Sequence, residues 1–264
     1  MLARKGISGF SAEYQAVLDY ATANAITHPS GAQNTINNAI VVGLVACGAF
    51  TEFDNFWYFR QAADLDFKRI NWADPNNYYL TDVASTPNNA DGGISASATN
   101  QALFTNYIPS TDAVKCLKED SSVIWRFYNL PTTFDVARNI FAARTGNNTQ
   151  QVYFGNLSNN SILTRLYGSD FSLTNFGSLQ LDINSHFHKR DLVANSVIYQ
   201  DGVLIVTGGN TNTTAGTLLT LNIPLLGYNN NGSTTSSIGA GLAYIGFGSN
   251  MDSIQLDIYD AINP

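Results

Sequence analysis

Asn195-Ser-Val-Ile-Tyr-Gln-Asp-Gly-Val-Leu-Ile-Val-Thr207 is the stretch that decides the fold. Two apolar runs flank Asp201-Gly202, a dipeptide that tolerates φ > 0 at both positions and so closes a two-residue type I′ turn. Ser196–Gln200 leads into the turn as one strand, and Val203–Thr207 returns antiparallel to it. An apolar strand around Leu218–Leu226, a polar Asn/Gly/Ser/Thr loop and the run Gly241-Leu-Ala-Tyr-Ile-Gly-Phe247 follow.

Working upstream, short strands recur from Ser121 onward at roughly 10-residue spacing, the pattern of an all-β domain. The segments are Val123–Tyr128, Ile140–Arg144, Gln151–Phe154, Ile162–Tyr167 and Leu179–Asn184, ahead of the hairpin and Leu242–Phe247. Strands do not alternate with long helices, which argues against a doubly wound α/β fold. Phe53-Asp-Asn-Phe-Trp-Tyr-Phe59 is aromatic at nearly every position, as expected of a strand buried on both faces. Trp125 is expected in the core. Asp64-Leu-Asp-Phe-Lys-Arg-Ile-Asn-Trp72 alternates in part, with Leu65 and Phe67 on one face. Pro75–Thr99 reads as loops broken by a short strand at Tyr78–Thr81.

The first fifty residues carry a different period. Phe10, Tyr14, Val17, Leu18 and Ala21 make a helical stripe, with Ser11 as N-cap and Glu13 in the first turn. Asn24 to Pro29 breaks it. Ser30 with Gln33 forms a capping-box pattern ahead of Ile36, Ile40, Gly43, Leu44 and Cys47, and Gly48 is the stop. Met251–Ile262 reads as a terminal helix. The expected organisation is a helical attachment or oligomerisation segment over residues 1–49 and a β-sandwich over 50–264.

Composition narrows the class. Of 264 residues, 44% are hydrophobic and only 12% charged, roughly half the usual charged share of about 25%. Asn, Thr, Ser and Gly fill the deficit, a surface typical of structural or adhesive β-proteins. The net charge is −7 and no basic cluster exceeds His188-Lys189-Arg190. Nucleic-acid binding, which works by releasing phosphate counterions to a positive footprint, is therefore not expected. Cys47 and Cys116 read as reduced thiols rather than a disulfide framework. Met1-Leu-Ala-Arg-Lys-Gly has no apolar run behind it and does not read as a signal peptide. Ala39–Phe50, interrupted by glycines, is too short to cross a bilayer. An adhesive-looking chain without an export signal suggests a virion.

The hairpin wording is similar to that of laminin-G-like and concanavalin A-like jelly rolls, which implies an antiparallel β-sandwich of that type. Set end to end, the segments resemble structural proteins of tailed Bacteroidetes phages, including the crAss-like phages. The residues that carry this are the helical pair, Phe53-Asp54-Asn55-Phe56 with Phe59, and Asp64-Leu65-Asp66-Phe67 with Trp72. Thr105-Asn106-Tyr107-Ile108-Pro109, the hairpin, and Phe247-Gly248-Ser249 leading into Met251–Ile262 complete the order. Relatives usually run on past the last helix, where this sequence ends at Pro264. The resemblance implies a virion appendage, a head or tail fibre subunit in contact with other virion proteins and with host-surface glycans. It also implies self-association, most simply as a homotrimer. Phe10, Tyr14, Val17, Leu18, Ile36, Ile40 and Leu44 are the expected assembly interface, with packing on the chain's own sandwich as the alternative, since a two-helix appendage must bury its apolar face against something.

A jelly-roll glycoside hydrolase needs two carboxylates flanking the scissile bond, but Glu13, Glu52 and Glu119 all lie outside the strand series. Asp64 and Asp66 sit two apart, hence on the same face of a strand, where loop ordering or a solvent-facing edge is the simpler role. His186 and His188 have the spacing of a two-imidazole zinc site without a third ligand. Asp64, Asp66, Asp91 and Asp201 are oxygen donors for calcium, although Asp201 already has a structural task in its turn. No catalytic residue, metal ligand or cofactor is assigned. A free-standing lectin is the alternative to a fibre and a glycoside hydrolase the remotest reading. Sugar stacking would fall to exposed aromatics such as Tyr153, Tyr167 or Tyr228.

Overall fold

The computed structural model describes residues 9–98, 100–117, 120–129, 138–145, 151–157, 161–166, 171–173, 186–192, 195–209, 218–236, 241–251 and 254–263. Helices α1 (Ala12–Ala23) and α2 (Gly31–Ala46) open the chain and a 3-10 turn (Ala49–Glu52) leads into β1 (Phe53–Tyr58). The one-turn helix α3 (Leu65–Lys68) precedes β2 (Thr81–Asp82), β3 (Asn88–Ala90), β4 (Gly93–Ser95) and β5 (Leu103–Phe104). After the one-turn helix α4 (Pro109–Asp112) come β6 (Asp120–Asn129), β7 (Arg138–Arg144), β8 (Gln151–Leu157), β9 (Ser161–Leu166) and β10 (Phe171–Leu173). Then follow β11 (His186–Leu192), β12 (Asn195–Gln200), β13 (Val203–Gly209) and β14 (Pro224–Leu225). The short β15 (Gly227–Asn230) and β16 (Ser233–Ser236), the long β17 (Gly241–Gly248) and helix α5 (Gln255–Ile262) close the series.

Two sheets face each other. The eight-stranded sheet runs β13-β12-β11-β6-β17-β4-β3, with β1 also on β17. The nine-stranded sheet runs β10-β9-β8-β7-β14-β5-β2, with β15 parallel to β7 and β16 on β15. Side chains alternate across a strand, and β1 uses both of its faces. Trp57 enters the core between the sheets with Trp125, Phe127, Phe141, Ile245 and Phe247. Phe56 and Tyr58 enter a second core, between the eight-stranded sheet and the helices, with Trp72, Ile124 and Tyr244. The molecule therefore has three layers: helices, sheet, sheet.

The hairpin forms as its sequence dictates. Asp201 and Gly202 take φ of 49° and 76°, the left-handed pair that a type I′ turn requires. β12 and β13 pair from Asn195↔Gly209 to Gln200↔Val203, with a bulge at Ile198/Tyr199. The helices also begin at the expected caps: Ser11 Oγ accepts from Tyr14 N–H and Ser30 Oγ from Gln33 N–H, each at 3.2 Å.

The assembly interface expected of the helices is corrected by the fold. Tyr14, Val17, Leu18, Ile40 and Leu44 are buried in the second core of their own chain, and Phe10 packs against it. Ile36 alone stays substantially exposed, at 47%. The aromatic outer face of β1 and β17 needed a cover, and an apolar helix face is what covers a sheet. Over residues 9–49, α1 and α2 therefore share this second core with β1 and β17.

Three strand assignments also change. Leu65–Lys68 is a helical turn with Phe67 and Lys68 both buried, so Asp64 and Asp66 do not share a strand face. Tyr78 takes φ of 61°, which keeps the chain out of a strand until Thr81. Within Leu218–Leu226 only Pro224–Leu225 pairs, and Leu226 turns away at φ of 57°. A proline supplies no ladder donor, which limits the strand there. The expected strand at Leu179–Asn184 lies outside the described residues.

Candidate functional site

A cleft of about 510 Å³ opens where the first turns of α2, the end of β1, the β3–β4 turn, β6 and the C-terminal turn of α5 converge. Its volume falls within the range of about 300–1,000 Å³ usual for small-molecule sites. Tyr58, Arg60, Gln61, Arg126, Tyr259 and Asn263 line it, with Gln33, Ile36 and Asp91 at its sides.

Each side chain is held by the local fold. The N–H groups of Phe59 and Arg60 both donate to Ala243 O, at 2.8 and 2.9 Å, which fastens the chain leaving β1 to β17. Arg60 then emerges exposed at the mouth. Arg126 sits mid-strand in β6 opposite Tyr244 and is 8% exposed, so its guanidinium belongs to the floor. At the end of α5, Asn263 donates from Nδ2 to Tyr259 O at 2.9 Å, which turns its Oδ1 toward the arginines. Arg60 Nη1 donates to that oxygen at 3.2 Å, and Arg126 Nη1 donates to it as well. Two cationic groups therefore meet on one neutral acceptor.

The amides behind them form a continuous network. Asn37 Nδ2 donates to Gln61 Oε1 at 2.7 Å and to Tyr14 Oη at 3.0 Å, and Tyr14 in turn donates to Asn34 Oδ1 at 2.7 Å. Gln61 Nε2 donates to Tyr58 O at 2.7 Å. Gln33 bridges outward, donating to Asn37 Oδ1 at 2.9 Å and accepting from Ala62 N–H at 3.1 Å. The capping-box pattern thus resolves differently from expectation: the Gln33 side chain braces the cleft. Buried networks of this kind fix geometry when their members find partners.

Electrostatics distinguish this region from the rest of the chain. Two guanidiniums and one carboxylate, Asp91, line the cleft of a protein whose net charge is −7. Burial pushes the Tyr58 hydroxyl above its ordinary pKa, while Arg60 and Arg126 pull it back. Burial likewise raises Tyr244, again opposed by Arg126. Both phenols remain protonated at neutral pH.

Of the candidate site residues singled out from sequence, Ile36 and Asp91 stand at the cleft and the others fall elsewhere. Asp64 precedes α3, Asp66 pairs with Arg69 at 3.2 Å, and Asp201 occupies the hairpin turn, so the four aspartates form no common centre. Among the described residues no group of three or more His, Cys, Asp or Glu could hold a metal ion. His186 and His188 stand on β11 and Tyr153 on β8; Tyr228 is half-buried on β15, and Tyr167 and Glu119 lie outside the described residues. Cys47 and Cys116 are both free. No helix among the described residues is long and apolar enough to cross a membrane. Arg60, Arg126 and Asn263 were missed. The one available signal was Arg126 itself, a charge inside the apolar strand Val123–Tyr128.

No protein-family model matches the sequence, and no curated protein matches it. Solved structures do share its architecture. One is botulinum neurotoxin type C, whose cell entry depends on interaction with two ganglioside molecules. It has a TM-score of 0.56 at 11% identity, over 81% of this chain and 52% of that one. The botulinum neurotoxin serotype D binding domain gives 0.53 at 10% identity, over 80% and 51%. The chain is a mainly β protein with a β-sandwich fold. It spans about half the length of these toxin chains. The Ruminococcus gnavus sialidase module CBM40, bound to α2,3-sialyllactose, aligns over 62% of this chain and 93% of its own, at 14% identity and a TM-score of 0.43.

Proposed function

We propose that this chain is a non-catalytic glycan-binding subunit of a phage virion, a head or tail fibre that assembles as a homotrimer and touches host-surface sugars. The observation that carries the binding half is the cleft: a pre-braced concavity presenting amides, guanidiniums and tyrosines. Such polar groups suit a polyhydroxylated ligand because their partners already hold them in place before binding. Hydrolysis of a glycosidic bond uses a pair of carboxylates, and the cleft lining has Asp91 alone, which favours binding over catalysis. The architecture it shares with toxin binding domains is compatible with this reading and adds nothing about the ligand. The virion half rests on the ordered sequence motifs from Phe53 to Met251.

The test has two arms. The labelled chain is passed over a glycan array carrying host-surface and mammalian glycans, and purified particles from the encoding phage are analysed by mass spectrometry. Retention on a subset of glycans together with the chain in particles is the expected result. A chain retained by no glycan overturns the binding half, and its absence from particles overturns the virion half.

A further inference from the structure

Arg60 and Arg126 come from segments 66 positions apart, yet both guanidiniums reach the same oxygen, Asn263 Oδ1. An anionic acceptor binds guanidinium donors more strongly than a neutral amide oxygen does, because charge-assisted hydrogen bonds are roughly twice as strong as neutral ones. A guanidinium presents a planar fork matched to a carboxylate, which Lys cannot reproduce. Arg60 is exposed and able to swing, whereas Arg126 is fixed in the floor. Beside them Tyr259 lines the cleft, and Asp91 stands on the wall as an acceptor for hydroxyls.

Building on the glycan-binding reading, we infer that the cleft selects a carboxylate-bearing sugar, with Arg60 gripping the carboxylate and Asp91 accepting from the ring hydroxyls. The arrangement has the two halves such recognition needs. A cationic corner meets the acid group, and an acidic wall meets the donors of the same ligand. The corner also gives the site its sign: on a chain of net charge −7, an anionic ligand has to be drawn in by a local positive field, so its binding weakens as salt rises.

The probes are sodium glucuronate, N-acetylneuraminate and glucose, titrated calorimetrically into the full chain at low and at 0.5 M NaCl. Either acid should bind at least about tenfold more tightly than glucose, and more weakly in high salt. Arg60→Gln should abolish that preference, and Arg60→Lys should restore it only in part because the planar fork is lost. Circular dichroism confirms that each variant is folded, which an exposed position makes the expected outcome. Equal affinity for glucose and the acids, or an acid preference untouched by Arg60→Gln, overturns this inference. Retention of neutral glycans on the array would in that case leave the wider glycan-binding reading standing. If neither acids nor any array glycan bind, both fall together.

Discussion

The carboxylate of Asp54 accepts the hydroxyl of Tyr107 at 3.1 Å, and it does so because Asp54 is the extra residue of a β-bulge. In the ladder between β1 and β17, Phe53 pairs with Gly248 and Asn55 with Phe247, leaving Asp54 unopposed. A bulge re-aims its side chain, and here the side chain turns to the loop after α4. There Asp54 also accepts from the backbone N–H groups of Val114, Lys115 and Cys116, the last two at 2.8 Å. One residue thus ties the first strand to a loop sixty positions away.

Replacing Asp54 by Ala should be among the costliest single changes on this side of the molecule. Three backbone donors and a phenol lose a charged acceptor, and hydrogen bonds to charged groups contribute about 1.5–3 kcal/mol each before any solvent replaces them. With water able to reach part of the site, a net loss of about 2–4 kcal/mol is expected. Thermal denaturation would register that as a midpoint about 5–12 °C lower. A midpoint unchanged within error would show that the loop holds without its anchor.

Tyr14→Phe removes the hydroxyl at the centre of the amide network. Asn34 Oδ1 loses its donor and Asn37 Nδ2 one of its acceptors, and a buried polar group left without a partner costs about 1–3 kcal/mol. Denaturant unfolding should show that loss with an unchanged m-value. Because Asn37 also holds Gln61, the same variant should weaken glycan binding.

Stability should depend on pH through Lys68, which is fully buried and donates to Ala90 O. Burial lowers its pKa to about 8, against a partly compensating pull from Asp91. The unfolded chain therefore holds more protons than the folded one from about pH 8 up to the ordinary lysine value of about 10.4, and stability rises through that window. Tyrosines act in the opposite sense: Tyr79 is pushed up to about 12, so its contribution is lost above pH 10 as pH approaches 12. Lys68→Met should leave the midpoint at pH 7 equal or higher and should remove the alkaline rise. Parallel melts of the two proteins from pH 7 to 11 measure the difference directly.

Gly248→Ala probes the seam where β17 leaves the sheet. A Cβ there would lie 2.1 Å from the backbone oxygen of Glu52, and Ser249 N–H donates to that same oxygen at 3.1 Å. Since the obstacle is backbone, β1 would have to move away from β17. A cost of at least about 2 kcal/mol is expected, in the range of overpacked sites, with near-ultraviolet circular dichroism altered by displacement of the β1 aromatics.

Native mass spectrometry addresses the proposed trimer. A monomer near 29 kDa at micromolar concentration would contradict it, and a threefold mass would support it. Of the stripe from Phe10 to Leu44 only Ile36 remains substantially exposed for such contact, beside Val42 and Val45 on α2.

How much of this was legible depends on the distance over which each feature is encoded. The Asp201-Gly202 turn is a property of two neighbouring residues, and the caps at Ser11 and Ser30 of four, so each could be read off directly. The double-sided burial of β1 showed in Phe56, Trp57, Tyr58 and Phe59, which leave no polar face. Asp64–Trp72 misled because a single helical turn is too short for its period to outweigh the partial alternation of Leu65 and Phe67. The helical stripe was legible as apolar, but the choice between a partner and the chain's own sheet as its cover was not, since periodicity states that a face is buried and not what buries it. The cleft was hidden for a plainer reason. Arg60, Arg126 and Asn263 share no local pattern, and only the pairing of β1 and β6 with the same strand, β17, puts them within reach of one another.

That pairing also imposes an order of events during synthesis. Among the described residues β1 pairs with β17 alone, roughly 190 residues later, and at translation rates of about 5–20 residues per second the wait is on the order of 10–40 s. Throughout it the most aromatic strand of the protein has no sheet to join, which is the state in which unpaired strands associate with one another. Ribosome-bound chains stalled before Gly241 should therefore crosslink to cytosolic holding chaperones through Phe53–Tyr58, and the same chains extended beyond α5 should release them. A strand made some 190 residues after β1 is the one that makes β1 safe.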